Sequence, residues 1–305
     1  MQAFVFPGQG SQSVGMLADL ANEYSIVKDT FDEASTVLDF DLWQLVQHGS
    51  AEQLNATQVT QPALLASSVA IYRTWIQQGG KAPAAMAGHS LGEYSALACA
   101  GVIDFVDAIR LVELRGQFMQ QAVPAGIGGM AAIIGLDDDK VIASCLQAAG
   151  DEVVSAVNFN SPGQVVIAGH AAAVERAGVL CKEAGAKRAL PLPVSVPSHC
   201  ALMLPAAEKL AEILDAITFN TPKIDVINNV DVIAQNEPAA IKQALIRQLY
   251  SPVRWTESVQ KLVKQGLTTH FEIGPGKVLT GLAKRIEKSV ECSAVNTADS
   301  LQAAL

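Results

Sequence analysis

The stretch Pro83-Ala84-Ala85-Met86-Ala87-Gly88-His89-Ser90-Leu91-Gly92-Glu93 decides the fold. A compact apolar run ends at a glycine, and small helix-forming residues from Glu93 to Ala100 follow almost at once. The order is strand, sharp turn, helix. Residues 88–92 fit G-x-S-x-G, which in that context sets a serine on a tight elbow. Such a turn has room only for glycine at its flanks. It presents the serine Oγ at a helix N-terminus, where backbone N–H groups can meet developing negative charge. The bare pattern equally describes a serine capping a helix in a glycine-rich turn. With the strand before it and the helix after it, Ser90 reads as a nucleophile.

Outward from the elbow, Ala3-Phe4-Val5-Phe6 is a short buried-strand candidate ending in the loop Pro7-Gly8-Gln9-Gly10. Residues 57 to 78 space apolar side chains by three and four and stop at Gly79-Gly80, which predicts a helix. From about 129 to 192 the rhythm changes: strand MAAIIGL, a helix from Asp138 to about Ala149, strand EVVSAVN, the turn Ser161-Pro162-Gly163, strand QVVIAG, a helix from Ala171 to Ala186, and strand RALPL. The order βαββαβ predicts a ferredoxin-like subdomain, residues 126–195, inserted into a larger α/β unit of residues 1–125 and 196–305. The chain re-enters that unit through Pro193, Pro197 and Ser198-His199, then continues through helices and strand pieces such as IDVINNV and HFEIG.

With 305 residues, 50% of them hydrophobic, the chain can bury a large core without staples. Its five cysteines are odd in number and scattered, which predicts reduced thiols and no metal site. The N-terminus carries no basic leader, and no apolar run reaches the ~18 to 20 residues of a membrane helix. A cytoplasmic, soluble protein with no membrane partner is expected. A net charge of -9 and only 5% aromatics argue against nucleic-acid binding, so an anionic ligand must meet a local basic cluster. Gly274-Pro275-Gly276-Lys277 lacks the spacing of a phosphate loop and reads as structural, and nothing points to a cofactor.

A serine hydroxyl needs a base. Of five histidines, His89 adjoins Ser90 on the elbow, where side chains diverge. His48 looks like a solvated helix end, His170 opens the second helix of the insertion, and His270 sits in a buried strand. His199 remains, in an irregular stretch of the kind that carries catalytic groups. In the hydrolase order of serine, acid, histidine, a carboxylate should lie between Ser90 and His199. Asp104, Asp107, Asp137 to Asp139 and Glu152 sit beside helices or in the insertion, none in a strand-end loop. Either a carboxylate comes from elsewhere, or a backbone carbonyl orients His199.

Together, Pro7-Gly8-Gln9-Gly10-Ser11-Gln12, Gly88-His89-Ser90-Leu91-Gly92-Glu93, Arg115 one helix on, and Ser198-His199 after a βαββαβ insertion resemble the malonyl-CoA:acyl carrier protein transacylase family across nearly the whole chain. The closeness suggests the free-standing bacterial enzyme of fatty acid synthesis rather than a domain of a megasynthase. The resemblance implies an α/β-hydrolase-like large domain with a ferredoxin-like small one. It makes Ser90 the nucleophile and His199 the general acid/base, with the Gln248 backbone carbonyl in place of the missing acid. The Leu91 and Gln9 amides would form the oxyanion hole, Gly8 and Gly10 letting the backbone approach a ligand closely. By itself, LVELRGQF gives Arg115 the role of a solvated helix arginine, like Arg110. The resemblance makes it the fork that grips the free carboxylate of malonyl.

The implied partners are malonyl-CoA and acyl carrier protein. Asn160 is a candidate for lining the cleft between the domains, or an ordinary turn former. The pairs Lys187-Arg188 and Lys284-Arg285 offer charge to an acidic carrier or to coenzyme A phosphates, and each alone also fits a solvated surface. Two other functions share parts of the pattern. An esterase or thioesterase would need a carboxylate partner for His199, and a non-catalytic carrier-binding subunit would dispense with Ser90 and His199.

Overall fold

The computed structural model describes every residue except Ala125 and Ser195. The junctions expected at 125/126 and 195/196 fall on these two positions and so lie outside the described residues. Along the chain the strands are β1 (Gln2–Phe6), β2 (Ala85–Gly88), β3 (Gly128–Ile134), β4 (Val154–Ser161), β5 (Gln164–His170), β6 (Arg188–Pro191), β7 (Asp225–Ile227), β8 (Thr269–Ile273) and β9 (Glu291–Val295). They form two sheets. One is parallel, in the order β7-β2-β1-β8-β9, and the other is antiparallel, in the order β4-β5-β3-β6.

The parallel sheet is buried on both faces, which is why its central strands read as unbroken apolar runs. Phe4, Phe6 and Met86 enter one core with the helix Thr57–Gln77, while Ala3, Val5 and Ala87 enter the other with Trp255 and Val259. Phe4 meets Tyr72, Trp75 and Phe271 edge-on at centroid distances of 6.2, 5.3 and 6.1 Å, the geometry that the ring quadrupole favours. The sequence reading did not find β9, an edge strand whose exposed positions carry polar residues and give little apolar signal.

The antiparallel sheet carries the helices Asp138–Ala149 and Ala171–Glu183 on one face. Its other face, with Met130, Val157, Val166 and Ala168, packs on Cys200, where the chain re-enters the large part. Strand β4 is also bonded to the large part, by Phe159 N–H to Val253 O at 3.0 Å and Val253 N–H to Val157 O at 2.8 Å. Among the described residues, no helix is long and apolar enough to cross a membrane.

At the elbow, close approach dictates glycine. A Cβ on Gly88 would lie 1.9 Å from the Gly92 carbonyl carbon, and one on Gly92 would lie 2.0 Å from Phe6 O. Gly8 has the same cause. Its Cβ would come within 2.5 Å of His89 O, so this glycine serves backbone packing against the elbow and not the approach of a ligand expected from sequence. Gly10 is required instead by its φ of 103°. The expected consequence is that Gly92→Ala, which must push β1 and the elbow apart, costs on the order of 1–3 kcal/mol. Thermal unfolding checks this, and an unchanged Tm would refute the packing.

Candidate active site

Ser90 occupies the turn between β2 and the helix Leu91–Cys99 with φ 52° and ψ −109°. An L-residue holds such angles only when its surroundings impose them. The Ser90 N–H donates to Asn229 Oδ1 at 2.8 Å, and Asn229 Nδ2 donates to Gly88 O at 2.6 Å. One asparagine side chain thus staples both sides of the elbow. Asn229 lies just beyond β7, in a turn braced by the two-pronged pair of Arg247 with Asp231 at 2.8 and 2.6 Å.

His199 is buried, with φ 66°. Its Nε2 lies 2.8 Å from Ser90 Oγ, and its Nδ1 lies 2.7 Å from Gln248 O. A carbonyl only accepts, so Nδ1 carries the proton and the Nε2 lone pair faces the hydroxyl. No carboxylate touches the ring among the hydrogen bonds of the described residues; of the alternatives left open by the sequence, the carbonyl occupies the place of the acid. Burial, and then the nearby Arg115 cation, push the His199 pKa down to about 3.

Arg115, on the helix Phe105–Ala122, is 1% exposed. The solvated arginine of the isolated sequence reading is therefore excluded. Nη1 donates to Gln61 Oε1 at 2.8 Å, while Nη2 donates to Gln248 Oε1 at 3.1 Å and to Ser90 Oγ at 3.3 Å. The guanidinium lies over the Tyr94 ring at 5.1 Å, a favourable face for a cation. All its hydrogen-bond partners are neutral, and its Nε is buried with no partner among the described residues. A buried cation in that condition is suited to an incoming carboxylate.

Ser90, His199, Arg115, Gln9 and Leu91 line one cavity of about 560 Å³. Met130 and Asn158 of the antiparallel sheet form its opposite wall. Leu91 is the first residue of its helix, where an N–H lacks an intrahelical acceptor. Asn160 is not in the wall. Its Oδ1 is 2.8 Å from His89 Nε2, and bulges in β4 on either side of the Asn158–Phe159 pairing leave Asn158 facing the cavity instead. His89 is thereby anchored across the two sheets, against Trp255 at 5.6 Å. The remaining histidines sit apart: His270 Nε2 on Leu267 O, His170 Nδ1 accepting from Val153 N–H, and His48 exposed at a helix end. The basic pairs gather at one corner, since Arg285 donates to Gln164 at 3.0 Å and both Gln164 and Arg188 pair with Ile134.

Three polar residues at the site escaped sequence reading: Gln61, Asn229 and Glu93. Each left a trace. Gln61 interrupts an apolar helix, Asn229 follows a strand of a parallel sheet where sites collect, and Glu93 is the one charge on a helix of small residues.

The acyl transferase domain family matches residues 3–302 of the chain. The chain is 67% identical over 303 residues to the malonyl CoA-acyl carrier protein transacylase of Escherichia coli strain K12, covering 99% of this chain and 98% of that protein. It belongs to the malonyl CoA-acyl carrier protein transacylase family. The crystal structure of an acyl carrier protein S-malonyltransferase from Vibrio cholerae superposes with a TM-score of 0.98 at 69% identity, covering 99% of each chain. A malonyl-transacylase solved in complex with a type II polyketide acyl-carrier protein superposes with a TM-score of 0.99 at 63% identity, covering 99% of this chain and 98% of that one. The mixed fold of one parallel and one separate antiparallel sheet is thus the fold of this family.

The electrostatics of His199 set a pH dependence. Its folded pKa lies below the ordinary histidine value, so the neutral imidazole persists far below pH 6.5. The rate at which an acyl thioester is consumed should stay level from about pH 8 down to about pH 5, and a limb centred near 6.5 would contradict the burial argument. Stability responds to two opposed sets of groups. The unfolded chain protonates His89, His199 and His270 near 6.5 while the fold resists it, which costs stability as pH drops below 6.5, whereas the raised carboxyls of Glu93 and Glu272 add stability over the same fall.

Proposed function

We propose that this chain moves malonyl from malonyl-CoA to the phosphopantetheine thiol of acyl carrier protein, in fatty acid biosynthesis, through a malonyl ester on Ser90. The observation that carries the reading is the 3.3 Å between Arg115 Nη2 and Ser90 Oγ. In malonyl the free carboxylate stands one methylene from the thioester carbonyl. A cation that grips the carboxylate while the carbonyl meets the nucleophile must therefore adjoin that nucleophile.

His199 Nε2 takes the Ser90 proton as Oγ attacks the thioester carbon, and the tetrahedral oxyanion rests on the Gln9 and Leu91 amides. The C–S bond breaks and coenzyme A leaves with the proton from His199. The carrier thiol then gives its proton to His199 and attacks the ester, and Ser90 recovers the proton. Gln248 O holds the ring throughout, and Arg115 holds the carboxylate. A carbonyl stabilises the imidazolium less than a carboxylate does, leaving a weak base. Thiols, with pKa about 8.5, tolerate a weak base better than water, with pKa about 15.7. This favours transfer over the hydrolysis of an esterase or thioesterase.

The same reading takes residues 1–125 and 196–305 as an α/β-hydrolase-like catalytic domain and 126–195 as a ferredoxin-like small subdomain. The parallel sheet, the strand-turn-helix elbow and the order β4-β5-β3-β6 support it. It also places the enzyme in the cytoplasm, in keeping with its five free cysteines. The corner of Lys187-Arg188 and Lys284-Arg285 gives an acidic carrier a surface to approach.

Intact mass spectrometry after mixing with malonyl-CoA should show a malonyl adduct on the wild type and none on Ser90→Ala. An undiminished adduct on that variant would sink the mechanism. Arg115→Ala should lower malonyl transfer by about 100-fold or more while keeping acetyl transfer. Equal loss of both, in paired assays with malonyl-CoA and acetyl-CoA, would remove the selectivity role.

A further inference from the structure

Behind the catalytic groups lies a buried carboxylate that the mechanism above does not use. Glu93, third residue of the elbow helix, is 2% exposed, and its Oε2 accepts from Gln248 Nε2 at 2.8 Å and from Asn229 N–H at 3.0 Å. Gln248 is fully buried and faces three ways. Its main-chain O meets His199, its Oε1 accepts from Arg115 Nη2 at 3.1 Å, and its Nε2 donates to Glu93 and, at 3.1 Å, to Ser90 O. We propose that Glu93 is a positioning residue for carboxylated acyl groups, fixing the Gln248 amide so that its oxygen, not its NH2, is presented to Arg115.

An amide offers a donor end and an acceptor end of nearly the same shape, so burial alone does not choose between them. The choice matters here, because an NH2 turned toward a guanidinium would set donor against donor in a dry site. Two oxygens hold the NH2 most closely on the far side, Ser90 O at 3.1 Å and Glu93 Oε2 at 2.8 Å, with Asn229 Oδ1 at 3.4 Å. Ser90 O alone leaves one N–H without its acceptor. Glu93 supplies the second at 2.8 Å, and the other acceptor within reach, Asn229 Oδ1, is farther off at 3.4 Å. Glu93 thus reaches Arg115 through one amide and stays one residue back, which leaves the contact side of the arginine to substrate. Burial raises the Glu93 pKa to about 7, against the lowering pull of its hydrogen bonds from Asn229 and Gln248 and of the Arg115 cation.

The inference rests on the proposed malonyl-Ser90 chemistry and predicts a defect confined to the carboxylate. Glu93→Met keeps the length of the side chain and removes the acceptor. It should lower kcat/KM for malonyl-CoA by on the order of ten-fold or more, chiefly through KM, while acetyl transfer changes less than about three-fold. Glu93→Gln, which still offers an acceptor oxygen, should restore malonyl transfer to within about three-fold of wild type. Gln248→Met approaches the same lock from its other end, should Glu93→Met not accumulate, and should likewise lower malonyl transfer more than acetyl transfer. In an Arg115→Ala background, Glu93→Met should leave the malonyl-to-acetyl ratio unchanged. Equal loss of malonyl and acetyl transfer, failure of Glu93→Gln to rescue, or a further fall of the ratio in the Arg115→Ala background would each overturn the proposal. Failure of the underlying reading would show separately, as absence of a malonyl adduct on the wild type.

Discussion

The backbone of Gly92 rests on the Phe6 carbonyl, and that of Gly88 rests on Gly92, at distances no Cβ would permit. This contact joins the end of β1, the end of β2 and the start of the elbow helix into one rigid corner. Ser90 is forced to φ 52° by it. With Gly8 packed against His89 O, the same corner fixes the loop carrying Gln9 beside the first amide of the helix. The proposed nucleophile and oxyanion donors are therefore products of a single steric constraint, stored as backbone strain and held by the Asn229 staple.

Electrostatics complete what sterics begin. Two groups of opposite character meet at Ser90 Oγ: an imidazole kept neutral by burial and a guanidinium cation. The cation depresses the imidazole further, which keeps the base form available but weak. Gln248 serves both, with its main chain toward His199 and its side chain toward Arg115. A site of this kind trades basicity for selectivity. It suits exchange between thiols and a short acyl group bearing its own negative charge, and the chain's family is one of malonyl transacylases.

Local patterns carried much of this into the sequence. The elbow was legible because its glycines, serine and flanking strand and helix are contiguous, and the βαββαβ order was legible because each period persists for several residues. The boundaries that shifted were at ends: the elbow helix begins at Leu91 instead of Glu93, since Ser90 itself occupies the cap position. Strand β9 stayed hidden because half of its face is polar and solvent-facing. His199 could be reached only by elimination, and the role of Gln248 only through family resemblance, because a backbone carbonyl leaves no mark in side-chain identity.

What the sequence by itself determined is the set of groups that chemistry needs and the local turns that display them, since φ/ψ limits and hydrophobic period act over neighbouring residues. Only the tertiary structure decided which polar residues are dry and what they face. It brought Gln61, Glu93, Arg115, Asn229 and Gln248 together from four helices and one strand-end turn, and turned Asn160 from the cavity toward His89. The reason is physical. The worth of a charge or an amide depends on the dielectric around it and on the few partners within about 3 Å. Those partners are set by packing between segments 54 to 155 residues apart.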